Sequence, residues 1–249
     1  MNEVITTTYD LNYLALSFII SVLGSYVGLL AYGNILNKSG QVQYVHVLSA
    51  ALGIGGVGVW SMHFIGMLAL KLDIPYGYAM LETLISLVSV IVVAAAALVH
   101  VAKAPKQTSR LLQAGIGLGL GVCVMHYLGM FGMRFGGFFA WNWSLVAASV
   151  LVAIVAATAA LWLASYTKGS AMRVVAALVM GSAVCAMHYT GMAAASFICS
   201  TPTQTAVPKG WDVVASIHLP QLVILLSFGL ILIIFCDQLY YSFNRKSKH

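Results

Sequence analysis

The chain has 249 residues, of which 61% are hydrophobic and 7% charged, and it carries a net charge of +6. A soluble domain carries about 25% charged residues, so this composition leaves too little polar surface for a water-exposed fold. The basic residues are scattered over short segments, which points to membrane topology and away from a nucleic-acid partner.

Met1 to Asp10 is polar and acidic with no basic n-region, so no cleavable signal peptide is expected. Seven apolar runs follow, predicted as helices over 11–32, 44–70, 78–102, 111–133, 143–166, 172–198 and 219–241. Each reaches the roughly 20 residues that a helix needs to cross a bilayer. The expected fold is therefore an all-α integral membrane protein, one domain over 1–249 with the lipid bilayer as its surroundings. The connections are short and polar. The longest runs from Cys199 to about His218 and contains Pro202, Pro208 and Gly210. Trp141 and Trp143 flank one span end, as interfacial aromatics do.

The loops after spans one, three and five and the C-terminal tail hold nine basic residues: Lys38, Lys103, Lys106, Arg110, Lys168, Arg173, Arg245, Lys246 and Lys248. The other side holds three, Lys71, Arg134 and Lys209. The positive-inside rule then predicts an external N-terminus and a cytoplasmic C-terminus.

One motif recurs three times. It reads Met62-His63-Phe64-Ile65-Gly66-Met67 in span two and Met125-His126-Tyr127-Leu128-Gly129-Met130 in span four. In span six it is Met187-His188-Tyr189-Thr190-Gly191-Met192. The histidines stand 63 and then 62 residues apart, and a run of small residues precedes each motif. A repeat of one helix pair explains the period; three pairs and one extra helix make seven. Spans two, four and six run in the same direction, so the three histidines are expected at one depth, in the outer leaflet. On each helix His and the Met four residues later share a face, and the intervening Gly lets a neighbour approach closely.

Three imidazoles and up to six thioethers, from Met62, Met67, Met125, Met130, Met187 and Met192, are thus candidates to surround one metal. The thioether is a soft ligand, and with imidazole it suits copper, above all Cu(I); Ca²⁺ and Mg²⁺ want oxygen. A reduced metal with an open position suits dioxygen, carbon monoxide or nitric oxide. A single buried Met is ordinarily packing, and an intramembrane His can serve only as an interhelical hydrogen-bonding group. The coincidence of three in register favours a site. Cys123 and Cys185 lie three residues before their histidines and are candidates for soft ligands, a disulfide or plain packing. His218 is a candidate accessory ligand at the outer start of span seven. Tyr127, Tyr189 and Phe64 read as packing rings, with two hydroxyls available as supporting donors. Asp237 is expected to pair with a basic residue. Arg134, Glu82 and Asp73 mark the outer interface.

The alternatives are a zinc-dependent membrane hydrolase, a copper transporter and a bis-His haem protein. Hydrolysis usually wants a carboxylate base, and none of the six acidic residues lies near a motif histidine in sequence. No enzyme activity is therefore expected. Transport would spread ligands over the membrane depth, whereas these gather at one level.

At these residues the chain resembles the MHYT domain family of bacterial membrane sensors, and Met187-His188-Tyr189-Thr190 spells the family motif. The other two copies depart from it in their last positions. The resemblance implies a seven-helix sensor in the bacterial inner membrane, with a copper site of Met and His and a diatomic gas as signal. It also implies cytoplasmic output domains that make or degrade cyclic di-GMP, fused or acting in trans. No such domain is visible in this sequence, which stops just past span seven. An oligomer is compatible with the resemblance.

Overall fold

The computed structural model describes residues 3–166, 169–200, 210–216 and 218–246. Pro202, Pro208, Lys168, Lys209 and Lys248, invoked above for loops and topology, lie outside the described residues, as do the side chains of Arg245 and Lys246.

Among the described residues, seven helices are long and apolar enough to cross a membrane. They are α1 Leu11–Tyr32, α2 Tyr44–Ala69, α3 Met80–Ala102, α4 Thr108–Phe131, α5 Trp143–Tyr166, α6 Ser170–Ala193 and α7 His218–Lys246. Side-chain caps start α1 and α5. The Asp10 carboxylate accepts from the Asn12 amide at 2.9 Å, and the Asn142 side chain accepts from the Ser144 and Leu145 amides.

α1 to α6 pack in chain order and α6 closes back on α1, so six helices form a ring; α7 stands outside it, against α1 and α2. Small residues allow the close contacts. A Cβ on Gly24 of α1 would come within 2.4 Å of the Gly58 nitrogen on α2. With lipid on one side, such close backbone packing replaces the hydrophobic drive that water provides. α2 is the innermost helix: 78% of its apolar window is buried, against 28% for α5, α6 and α7.

The middle of α2, Leu52–Ser61, is wound as a π-helix. Four glycines in this stretch make the α-form weaker. Two side chains take up carbonyls of the widened turn: Ser61 Oγ donates to Gly56 O at 3.1 Å, and Ser21 Oγ of α1 donates to Gly58 O at 2.7 Å.

Short polar connections were expected at both ends of the helices. At one end the described residues form eight short strands instead: β1 Glu3–Val4, β2 Thr7–Tyr9, β3 Leu70–Leu72, β4 Tyr76–Ala79, β5 Met133–Phe135, β6 Gly137–Trp141, β7 Ala195–Cys199 and β8 Val213–Ala215. They form three antiparallel sheets, ordered β1-β7-β6, β2-β3 and β5-β4-β8. Thr7 pairs with Leu72, Gly77 with both Arg134 and Ala215, and Phe139 with Phe197. The strands precede α1, α3, α5 and α7 and follow α2, α4 and α6, so all lie over the same end of the bundle. They tie loop to loop and satisfy backbone groups at the mouth of an apolar fold.

These strands correct the predicted spans. Span six was drawn to Ile198, but α6 stops at Ala193 and β7 takes over; α4 likewise stops at Phe131, before β5. Tyr78, drawn into span three, belongs to β4. Apolar strand residues continue the hydropathy of the helix beside them, so hydropathy alone overruns the boundary. At the same end Arg134 pairs with Glu82, and Lys71 with Asp10 at 2.9 Å.

At the opposite end α7 is fastened to the ring. The Asn34 amide, just past α1, donates to Gln238 Oε1 at 2.9 Å, and Gln238 Nε2 stands 3.2 Å from His46 Nδ1 on α2. The His46 ring meets Tyr241 edge-on at 4.6 Å. Asp237 accepts from Gln238 Nε2 at 2.7 Å, so among the described residues its hydrogen-bond partner is an amide, where a basic residue was expected.

Candidate metal centre

His63, His126 and His188 are fully buried. α2, α4 and α6 alternate with the other helices around the ring, and each carries its histidine near the same end, six residues before the last residue in α2 and five in α4 and α6. The three imidazoles therefore meet on the ring axis. Their Nδ1 atoms form a triangle with sides of 3.1, 3.1 and 3.3 Å, and the rings stand edge to face, 4.9 to 5.1 Å between centroids.

Hydrogen bonding among themselves does not satisfy this triangle. In a neutral imidazole each Nδ1 presents either one proton or one lone pair. Donors and acceptors cannot alternate around three atoms. In any set of tautomers at least one side therefore sets two protons or two lone pairs against each other. A cation at the centre, accepting three lone pairs, removes the conflict. The sides also fit the edge of a tetrahedron, about 3.3 Å for metal–nitrogen bonds of about 2.0 Å. A planar trigonal set would need about 3.5 Å.

The motif glycines explain how the rings are seated. A Cβ on Gly129 would lie 2.5 Å from His63 Nε2, one on Gly191 2.4 Å from His126 Nε2, and one on Gly66 2.5 Å from His188 Nε2. Each glycine thus makes room for the histidine of another repeat, in a closed cycle. The expected close approach is that of an imidazole edge against a helix. The three Nε2 atoms are buried, and with the Tyr78 hydroxyl they are the unpartnered buried side-chain polar atoms found among the described residues.

The aromatic residue after each histidine packs edge-on to that histidine, with centroids 4.8 Å apart for Phe64, 4.9 Å for Tyr127 and 4.7 Å for Tyr189. The two tyrosine hydroxyls bond to serines on the next helix, not to the histidines. Tyr127 meets Ser149 at 2.6 Å and Tyr189 meets Ser17 at 3.0 Å. In the first repeat Phe64 has no hydroxyl, and Trp60 Nε1 donates to the equivalent Ser86 at 3.0 Å. Each of these serines donates in turn to the carbonyl three residues back, on Leu14, Thr83 or Val146. Sequence reading missed the three serines. Their signal was there in part: Ser86 and Ser149 are 63 residues apart, as are His63 and His126.

The six motif methionines are all buried, at 2% exposure or less. Met67, Met130 and Met192 stand one turn beyond the histidines toward the strands. On a helix side chains lean toward its N-terminus, so these three lean back toward the histidine layer. The other candidates are placed elsewhere. Among the described His, Cys, Asp and Glu residues, those brought within 4.8 Å of one another are His63, His126 and His188. Cys123 is buried and Cys185 half-buried; both are free thiols outside that group, with no disulfide between them. His218 is exposed at the start of α7 and is not brought to the triangle.

The family profile described as a bacterial signalling protein N-terminal repeat, MHYT, matches three times, over residues 56–114, 119–177 and 181–237. The chain is similar to the bifunctional diguanylate cyclase/cyclic di-GMP phosphodiesterase MucR of Pseudomonas aeruginosa, at 37% identity over 196 residues, 77% of this chain and 28% of that protein. It is 35% identical over 209 residues to the cyclic di-GMP phosphodiesterase NbdA of the same organism, covering 80% of this chain and 26% of the relative. The signalling protein YkoW of Bacillus subtilis is 28% identical over 200 residues, 78% of this chain and 25% of its own length. The chain thus spans about a quarter of the length of these relatives. No solved structure matches it. Three in-register repeats, the seven helices and the matched relatives place the chain in the MHYT family of bacterial signalling proteins.

Proposed function

We propose that this chain is a copper-dependent sensor of a diatomic gas, oxygen, carbon monoxide or nitric oxide. His63, His126 and His188 hold the ion through Nδ1, with thioethers of Met67, Met130 and Met192 beside them and Met62, Met125 and Met187 in the surrounding packing. The observation that carries this reading is the Nδ1 triangle, whose lone pairs find no arrangement without a cation. Copper supplies the affinity for a diatomic ligand; the protein supplies a dry, oxygen-free donor set.

Three imidazoles accept zinc as well as copper. The buried methionines favour copper(I), and the absence of any described carboxylate in the cluster speaks against hydrolysis. Nitrogens on either side of a haem iron stand about 4 Å apart, farther than these.

The positive-inside rule puts the strand end outside and the C-terminus in the cytoplasm of a bacterial inner membrane. There α7 leads toward a cyclic di-GMP output domain, fused or in trans, as the activities of MucR and NbdA suggest. The Gln238 contacts to Asn34 and His46 join that helix to α2, which carries His63 at its other end.

Metal analysis of the purified protein tests the centre. Wild type is expected to retain about one copper per chain and the triple variant His63→Ala/His126→Ala/His188→Ala none. Equal metal in both overturns the reading.

A further inference from the structure

Below the histidine layer the ring encloses a cavity of about 40 Å³. All six ring helices contribute to its wall; α7 does not. The lining includes Val59, Val122 and Val184, each four residues before a motif histidine. The cavity thus repeats the threefold pattern of the centre one turn below it, with Met187 in its wall, while Met67, Met130 and Met192 stand on the outer side of the histidines. Its other walls are apolar, aliphatic side chains with the thioethers of Met180 and Met187, and Ser25 is the polar exception.

Size and lining decide what such a space can hold. A single water needs roughly 10–15 Å³ of this kind of volume and two to four polar partners. The space is large enough, but the partners are missing. Apolar cavities of this type stay dry and take apolar guests such as xenon. A substrate with charges or several hydroxyls would find no hydrogen bonds here. The lining is least covered between α5 and α6, where Ala156, Ala160, Ala183 and Val184 are partly exposed while the other lining residues are buried. Small apolar molecules concentrate in lipid, so that seam gives them a short path.

We infer that this axial cavity is a binding site for one small apolar molecule, of the size of a diatomic gas, held one helical turn below the three histidines. The natural identity of the guest rests on the sensor reading above; the site does not.

Xenon is the probe. The full chain in detergent or nanodiscs, metal-free and copper-loaded, is examined by xenon-129 exchange NMR and by crystallography under xenon pressure. The expected result is one saturable site, located between Val59, Val122, Ala157 and Val184, in both forms. Ala157→Leu, which fills the space, is expected to abolish it. Ala183→Leu fills the same space from α6 and serves where the first variant folds poorly. A xenon atom found only elsewhere, or none in wild type, overturns the inference, as does undiminished binding in a folded filling variant. Carbon monoxide binding to the copper(I)-loaded protein separates the two ideas. If carbon monoxide fails to bind while xenon occupies the cavity, the gas-sensor reading falls and the site stands. If it binds while xenon does not, the reverse holds.

Discussion

The first repeat and the other two reach the same centre by different packing. In repeats two and three a small residue, Cys123 or Cys185, stands one turn before the histidine, and a tyrosine hydroxyl reaches the neighbouring serine. In the first repeat the bulky Trp60 takes the place of the cysteine and Phe64 the place of the tyrosine. The indole now makes the serine bond and packs against Phe64, with the rings tilted and their centroids 4.8 Å apart. The helix that carries it is π-wound over Leu52–Ser61 and is the most buried of the seven. Within the motif the residues common to all three repeats are Met, His, Gly and Met, of which the histidines meet on the axis and the glycines seat the rings. The difference teaches that the centre constrains a few atoms closely and leaves the support around them free to vary, provided each serine keeps a donor.

The largest expected effect tests whether the three repeats are equal at the axis. His63→Ala, His126→Ala and His188→Ala should each lower copper affinity by more than the ~10–100-fold typical of a lost supporting residue, and by similar amounts. Titration with a competing chelator measures this. One dispensable histidine would break the symmetry that the triangle implies.

Next comes the asymmetric support. Trp60→Cys, which makes repeat one look like the others, should destabilise by about 3–5 kcal/mol, because it empties a core space that Phe64 and Ser86 cannot refill. Thermal unfolding in detergent reads it. Adding Phe64→Tyr in the same chain should recover part of the loss by returning a donor to Ser86; no recovery would mean that the serine bond does not matter.

A smaller effect is expected at the glycines. Gly66→Ala, Gly129→Ala and Gly191→Ala each place a methyl against an Nε2 edge and should cost about 1–3 kcal/mol by overpacking. Copper affinity should weaken with stability, and alike in the three, since the clash distances nearly match. A neutral Gly129→Ala would show that the ring moves freely.

The smallest belongs to repeat one alone. Lys71, bonded to Asp10 between β3 and the start of α1, holds that carboxyl below its usual range. A carboxyl lowered in the folded state stabilises above its unfolded pKa, about 4, and the gain disappears as pH falls through the lowered value. The pair is exposed, so the effect is slight and weaker in salt. The melting temperature of wild type should lead Asp10→Asn at pH 6 and lose that lead as pH drops below about 4. A lead that persists at the lowest pH contradicts the assignment.

The helices themselves were legible because hydropathy over 20 residues is a strong local signal. Two spans match to the residue, Leu11–Tyr32 and Trp143–Tyr166. The three histidines were legible in the motif repeat, since period and direction together set their common level. The strand cap was not legible. Runs such as Ala195–Cys199 and Met133–Phe135 are apolar enough to read as helix ends, and their pairing partners lie far away in sequence.

Composition and periodicity therefore determined on their own that this chain forms seven membrane-length helices and that three histidines share one level. Only the tertiary structure decided the rest: that the histidines converge through Nδ1, that each glycine seats another repeat's ring, and that an apolar cavity lies beneath them. Hydropathy and period are properties of one helix at a time, whereas a nitrogen triangle with sides near 3 Å exists only once three helices close around a common axis.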